Sequence, residues 1–231
     1  MNTYQHLFFD LDKTIWDFDT NSHATLLDVY TLLNLKDAGM ADFREFAKQY
    51  EIHNMDLWAH YREGKIEKEV LKWLRFEKTF NVFHYSNPET AKKFGKIYLE
   101  ILPEKTALFP DSIKVLEYLY PKYHLHLITN GFDEVQFRKI ENTHIAHYFK
   151  TVTTSDEAGA KKPDGFIFSF ALARANAEKY HSLMIGDDLE VDIMGARDYG
   201  MDQVFFNHDR LVHSLNPTFE IYTLKELMEI L

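Results

Sequence analysis

The sequence predicts an α/β protein: a doubly wound parallel sheet whose core is interrupted by an inserted α-helical bundle. Two observations carry this. Short apolar runs recur along the chain, several end in small or acidic residues, and helical patterns lie between them. Strands alternating with helices in this way build a parallel sheet covered on both faces. From about residue 20 to residue 102, by contrast, strand signals almost vanish and apolar residues follow helical spacing.

The first strand is the run His6, Leu7, Phe8, Phe9, which stops abruptly at Asp10-Leu11-Asp12. Four helices follow as the insertion. One spans residues 20–33; a second is carried by Phe43, Phe46, Ala47, Tyr50, Leu57 and Tyr61, with Asp42 and Glu45 at cap positions. Ile66, Val70, Trp73 and Leu74 mark a third, and Ala91, Phe94, Tyr98 and Ile101, opened by Asn87-Pro88, a fourth. Trp58 and Trp73 are expected in the bundle core. The expected division is a core of residues 1–17 and 105–231 with a helical domain of residues 18–104.

Past the insertion, Ile113, Leu116, Leu119 and Tyr120 give a helix after Pro110-Asp111, and Phe166, Phe170 and Ala173 give another after Pro163. Strands are expected at residues 125–128, 183–185 and 203–206, a weaker one at 150–153 and an edge strand at 219–222. The last helix opens with Thr223 and Glu226 at capping-box spacing.

Composition narrows the function. The 231 residues include 45% hydrophobic and 15% aromatic types, ample for packed cores and too apolar for a disordered chain. A formal charge of −10 argues against a protein that grips nucleic acid by its phosphates. There is no cysteine, which excludes disulfides, thiolate metal sites and thiol catalysis. The N-terminus lacks the basic start of a signal peptide, and no uncharged apolar run approaches the ~20 residues that span a bilayer. A soluble, cytoplasmic protein is expected. No oligomeric state is written in the sequence, and a monomer is compatible with it.

Ligands of open parallel sheets bind beyond the carboxyl ends of the strands. The polar residues that end the expected strands therefore share a site: Asp10 and Asp12, Thr129-Asn130-Gly131, and Gly186-Asp187-Asp188, with Lys162-Pro163 in a nearby loop. Carboxylates from two strand ends make a hard oxygen site suited to Mg²⁺. A Thr hydroxyl, the amides around Asn130-Gly131 and a Lys ammonium suit a dianionic phosphoryl group. In such a site Asp10 can act as nucleophile and Asp12 can carry the proton of the leaving oxygen.

These segments, in this order, resemble the four motifs of the haloacid dehalogenase superfamily: residues 10–14 the first, 127–131 the second, Lys162-Pro163 the third and Gly186-Asp187 through Asp192 the fourth. The resemblance implies a Rossmann-like core with a helical cap. It implies that Asp10 attacks phosphorus, Asp12 serves as general acid and then general base, Thr129 and Asn130 hold phosphoryl oxygens, and Lys162 neutralises charge. Mg²⁺ is then bound by Asp10, the backbone carbonyl of Asp12, and Asp187. Asp192 orders metal-bound water or Lys162 from behind, and Asp188 is either a ligand or a helix cap.

The founding dehalogenases lack an acid at the position of Asp12, since a halide leaves without a proton; its presence marks a phosphatase-type site. Trp16-Asp17-Phe18-Asp19 and the size of the insertion most resemble the pyrimidine-type nucleoside 5′-monophosphatases. The expected substrate is thus a small phosphorylated metabolite, a nucleoside 5′-monophosphate foremost. Sugar-phosphate or phosphoglycolate phosphatase and phosphomutase remain alternatives, as does, from another class, a phospho-accepting signalling domain.

Trp16 and Phe18 are candidates for substrate contact or for hinge packing. Lys161 competes with Lys162, and the proline after Lys162 decides for the latter. The pairs His124/His126 and His144/His147 lack a matched third ligand for zinc.

Overall fold

The computed structural model describes residues 4–40 and 42–231. The chain divides into two compact units, one made of the residues up to Phe18 with Thr106–Leu231, the other Asp19–Lys105.

The first unit is an α/β fold around a six-stranded sheet. Its strands are β1 (His6–Phe9), β2 (His124–Thr129), β3 (Phe149–Thr154), β4 (Ser182–Gly186), β5 (Asp202–Phe206) and β6 (Phe219–Ile221). They lie in the order β3-β2-β1-β4-β5-β6, and every pairing is parallel. The chain runs outward one way from β1 through β2 to β3, then returns beside β1 and runs the other way from β4. The topological switch point therefore lies between β1 and β4, where Phe9 pairs with Ile185.

All four residues of β1 are buried, as a central strand covered on both faces requires. One face packs Phe8, Ile128 and Met184 against Ile167, Phe168, Ala171 and Leu172 of the helix Gly165–Ala175. That helix buries a stripe displaced from the expected one, and Phe166 is exposed. α5 (Ser112–Leu119) likewise buries Val115, Leu116 and Leu119 while Ile113 and Tyr120 face solvent. At the amino ends of the strands the His6, His124 and His126 rings pack together, and His6 Nδ1 lies 3.1 Å from His126 Nε2. Burial drives the pKa of His126 down to about 3 and lowers that of His6, so both stay neutral. The C-terminal capping box is present at Thr223 and Glu226 and opens a short 3₁₀ turn, followed by the helical turn Leu227–Ile230.

The second unit consists of α1 (Phe18–Leu32, whose first residue belongs to the other unit), α2 (Phe43–Arg62), α3 (Lys68–Val82) and α4 (Pro88–Ile101). Asp42 caps α2 through the amide of Arg44, and Asn87 caps α4 through the amide of Thr90, with Pro88 in the first turn. The core is aromatic: Phe46, Tyr50, Phe76, Phe80, Phe94 and Tyr98 are buried, and Phe76 and Phe94 approach to 4.6 Å between ring centres.

On α3 the buried residues are Leu71, Arg75, Phe76, Thr79 and Phe80, so the stripe through Ile66, Val70 and Trp73 is not the core face. Trp58 and Trp73 are only half buried, contrary to expectation. The core face of α3 instead takes Arg75, a charge that periodicity assigns to solvent. The residue is 2% exposed, and its guanidinium lies 5.1 Å from the ring centres of Phe76 and Tyr98 and donates from Nη1 to Asn54 Oδ1 at 2.9 Å. Among the described residues no helix is long and apolar enough to cross a membrane.

Arg75 depends on that acceptor, since a buried charge left unpaired is expensive. Asn54→Ala is expected to destabilise the helical unit by about 2 kcal/mol, or roughly 30-fold faster exchange of the most protected α2 and α3 amides. Hydrogen exchange by mass spectrometry reads this directly, and unchanged protection in those helices contradicts it.

Candidate active site

The polar residues that follow β1, β2 and β4 meet at one edge of the sheet. Asp10 directly follows β1, and its amide still donates to Ile185 O on β4 at 2.8 Å, so the ladder fixes its backbone. Beyond it residues 11–16 fold into a tight loop: the amides of Ile15 and Trp16 both donate to Leu11 O, and Lys13 takes a left-handed conformation (φ 61°). This turn carries Asp12 back over the strand end.

Lys162 ties the edge together. It is 1% exposed, and its Nζ donates to Asp10 Oδ1 at 2.5 Å, to Asp192 Oδ1 at 2.6 Å and to the Ile128 carbonyl at 2.9 Å. Its backbone is held by Asn130, whose Oδ1 accepts from Lys162 N at 2.8 Å and whose Nδ2 donates to Lys162 O at 2.9 Å. The side chain of Asn130 thus places Lys162, while its backbone stands among the amides expected at the phosphoryl oxygens. Asp192 reaches the ammonium because residue 186 is glycine; a Cβ there would collide with its carboxylate.

The fourth segment resolves into distinct parts. Asp187 accepts from the Thr14 hydroxyl at 3.2 Å. Asp188 caps the π-type helical turn Leu189–Met194, its Oδ1 accepting from the amides of Glu190 and Val191 at 2.9 Å each. Of the two roles open to Asp188, the structure displays the cap. Asp192 Oδ2 accepts from the amide of Asp188 at 3.1 Å. Oxygens of Asp10, Asp187 and Asp192 lie within 4.8 Å of one another, a hard anionic donor set that suits Mg²⁺. Both oxygens of Asp192 already have protein partners, so Asp10 and Asp187 are the side chains better disposed to hold an ion.

Charge accounting explains the titration of the cluster. Burial favours loss of the Lys162 proton, but Asp10 and Asp192 outweigh it and hold its pKa above the ordinary value. One ammonium cannot neutralise every carboxylate. Burial, opposed by Lys162 and reinforced by Asp192, raises the pKa of Asp10 from 3.8 to about 7. Burial and the neighbouring Asp192 and Asp10 carboxylates likewise raise that of Asp187.

Thr129 ends β2, and its Oγ1 accepts from Gly131 N at 3.1 Å and from Gln136 Nε2 at 2.7 Å. Asp12 is gripped from the helix α6 (Asp133–Asn142): its Oδ2 accepts from Gln136 Nε2 at 2.8 Å and its Oδ1 from Lys139 Nζ at 2.6 Å. Neither Gln136 nor Lys139 stands out in the sequence, where polar residues on a helix read as its solvated face. Trp16 is fully buried, with its ring centre 4.1 Å from Lys139 Nζ; Phe18 is half buried, 5.8 Å from the same atom.

Residues 4–200 match the sequence profile of the haloacid dehalogenase-like hydrolases. The chain is 28% identical to pyrimidine 5′-nucleotidase PynA of Streptococcus pneumoniae, over 99% of this chain and 95% of that protein. It is 29% identical to pyrimidine 5′-nucleotidase YjjG of Escherichia coli, over 97% and 96% respectively. The crystal structure of the HAD-hydrolase YfnB from Bacillus subtilis, bound to magnesium, superposes with a TM-score of 0.89 at 27% identity, covering 99% of this chain and 98% of that one.

The raised pKa of Asp10 has a definite sign in stability. Between about 4 and about 7 the metal-free folded protein binds a proton at Asp10 that the unfolded chain does not. Asp10 therefore contributes stability at low pH that is lost as pH rises through this window. In chelator, the urea midpoint of Asp10→Asn should gain on the wild type as pH rises from about 4 to about 7. A gap independent of pH would contradict the assignment.

Proposed function

The chain belongs to the haloacid dehalogenase-like hydrolase family and is a phosphatase, and from that premise we propose that it hydrolyses small phosphate monoesters, nucleoside 5′-monophosphates foremost, through a phosphoaspartyl intermediate at Asp10. The observation that carries this reading is Asp10 itself. It is a buried carboxylate at the switch point of the sheet, fastened to Lys162 at 2.5 Å and flanked by Asp187. Phosphoryl transfer asks a protein mainly for positioning and charge neutralisation, and these residues supply both.

Asp10 attacks phosphorus with a carboxylate oxygen, and the ester oxygen leaves with a proton delivered by Asp12. Asp12 then takes a proton from the water that cleaves the acyl phosphate, which frees inorganic phosphate and restores Asp10. Lys162 neutralises charge shared between Asp10 and the transferring group, and Thr129 with the amides that follow it holds phosphoryl oxygens. Asp10 and Asp187, with the backbone carbonyl of Asp12, would hold Mg²⁺. When bound, the ion offsets the charge on phosphate and carboxylates alike. The preference for nucleotides draws on the nucleotidase relatives and on the segment Trp16-Asp17-Phe18-Asp19.

Asp10→Asn should abolish turnover, because an amide is a poor nucleophile, while the far-UV circular dichroism stays native. Near-wild-type hydrolysis by that variant would put the nucleophile elsewhere. Steady-state kinetics with Mg²⁺ should show a higher kcat/KM for pyrimidine nucleoside 5′-monophosphates than for ribose 5-phosphate, with stoichiometric release of phosphate. Equal values for the two would leave the phosphatase and remove the nucleotidase; isomerised ester without phosphate would mark a mutase. Excess chelator should abolish activity, and activity that survives it would remove the magnesium assignment.

A further inference from the structure

We propose that Gln136 and Lys139 are positioning residues for proton transfer: together they hold the Asp12 carboxylate where the leaving oxygen departs, and this rests on the reading of Asp12 as acid and base. The two lie three residues apart on α6, so their side chains leave the same face of the helix. Each takes one oxygen of Asp12, Lys139 at 2.6 Å and Gln136 at 2.8 Å. Held at both oxygens, a carboxylate that could otherwise rotate about its side-chain bonds keeps one orientation. Gln136 donates to Thr129 Oγ1 as well, at 2.7 Å, which locks Asp12 in register with the proposed phosphoryl-holding residue at the end of β2.

Three details show that this grip is built rather than incidental. Lys139 is 2% exposed, and an ammonium taken out of water to that degree needs strong partners. Its partners include Asp12 and the face of the buried Trp16 at 4.1 Å. Gly131 is the second detail: a Cβ at that position would run into the Gln136 side chain, and glycine lets the amide come close. The third is Gln136 Oε1, which is buried with no hydrogen-bond partner. Half a turn of the amide would aim that oxygen at Asp12 and Thr129, ready to accept from the carboxyl when it carries the proton. One residue can then orient Asp12 both before and after the transfer.

A group that only positions an acid has a distinctive kinetic signature. Its loss should hurt substrates in proportion to their need for that acid. The test uses Lys139→Met and Gln136→Met in the full-length enzyme with Mg²⁺. The substrates are glycerol 2-phosphate, phenyl phosphate and p-nitrophenyl phosphate, whose leaving groups need progressively less protonation. Expected is a loss in kcat of roughly 10- to 100-fold on glycerol 2-phosphate and under about 3-fold on p-nitrophenyl phosphate, with KM little changed. Adding Lys139→Met to Asp12→Asn should then do nothing further, because the residue acts through Asp12. Lys139→Arg should recover part of the loss. Should Lys139→Met not fold, Gln136→Met carries the same expectation.

Equal losses on all three esters, or additivity with Asp12→Asn, would overturn the positioning role while leaving the proton-transfer reading intact. If Asp12→Asn itself loses equally on all three, the proton-transfer reading falls and the positioning role falls with it.

Discussion

Lys162 keeps a full positive charge where almost no water reaches, and the Asp10 and Asp192 carboxylates make that tolerable. Each neighbour of this contact exists in a form the contact demands. Gly186 leaves room for Asp192, the Asn130 amide clamps the backbone from which Lys162 extends, and the Ile128 carbonyl takes a further ammonium proton. Asp10 is held by the β ladder below and the ammonium beside it, so its orientation is settled before any substrate arrives. Preorganisation of this kind spares the chemistry any cost of arranging its own charges.

The ammonium does not balance the carboxylates around it, and this imbalance is useful. Burial, reinforced by the neighbouring carboxylates, lifts the pKa of Asp10 and Asp187, and the same crowding of oxygens makes a donor set that suits a divalent cation. Asp12 stands outside this crowd, on separate supports from α6, which suits the proton-transfer role proposed for it.

The ends of the strands are the part of the molecule most legible in the sequence. An apolar run that stops at Asp-Leu-Asp, Thr-Asn-Gly or Gly-Asp-Asp reports a buried strand and its functional terminus together, and β1, β2 and β4 fall where those runs lie. Helix faces are harder to read. On α3 the core takes Arg75, which no apolar stripe includes; on the helices Ser112–Leu119 and Gly165–Ala175 several apolar residues compete and the stripe shifts. Gln136 and Lys139 escape notice for a related reason. Periodicity separates apolar from polar, and a polar residue that points inward toward another polar residue carries no mark of its destination. Only the partner, Asp12, more than a hundred residues away, gives them meaning.

The place of β1 in the sheet also bears on the order in which the protein assembles. Its two neighbours are β2 and β4, so His6 pairs with His124 on one side and Ser182 on the other. On a ribosome β1 emerges before both of them, so it must wait for the two halves of its sheet while the intervening Asp19–Lys105 unit, rich in local helical contacts, is free to fold ahead of it. The chain leaves the α/β unit after Phe18 and returns at Thr106; just inside those points the amide of Asp17 donates to Ala107 O at 3.1 Å and that of Phe109 to Ile15 O at 2.9 Å. To that unit the whole excursion is a closed loop, whose entropy grows only slowly with its length. The helical insert can therefore be lengthened, shortened or exchanged over evolutionary time while the strand that bears Asp10 stays put.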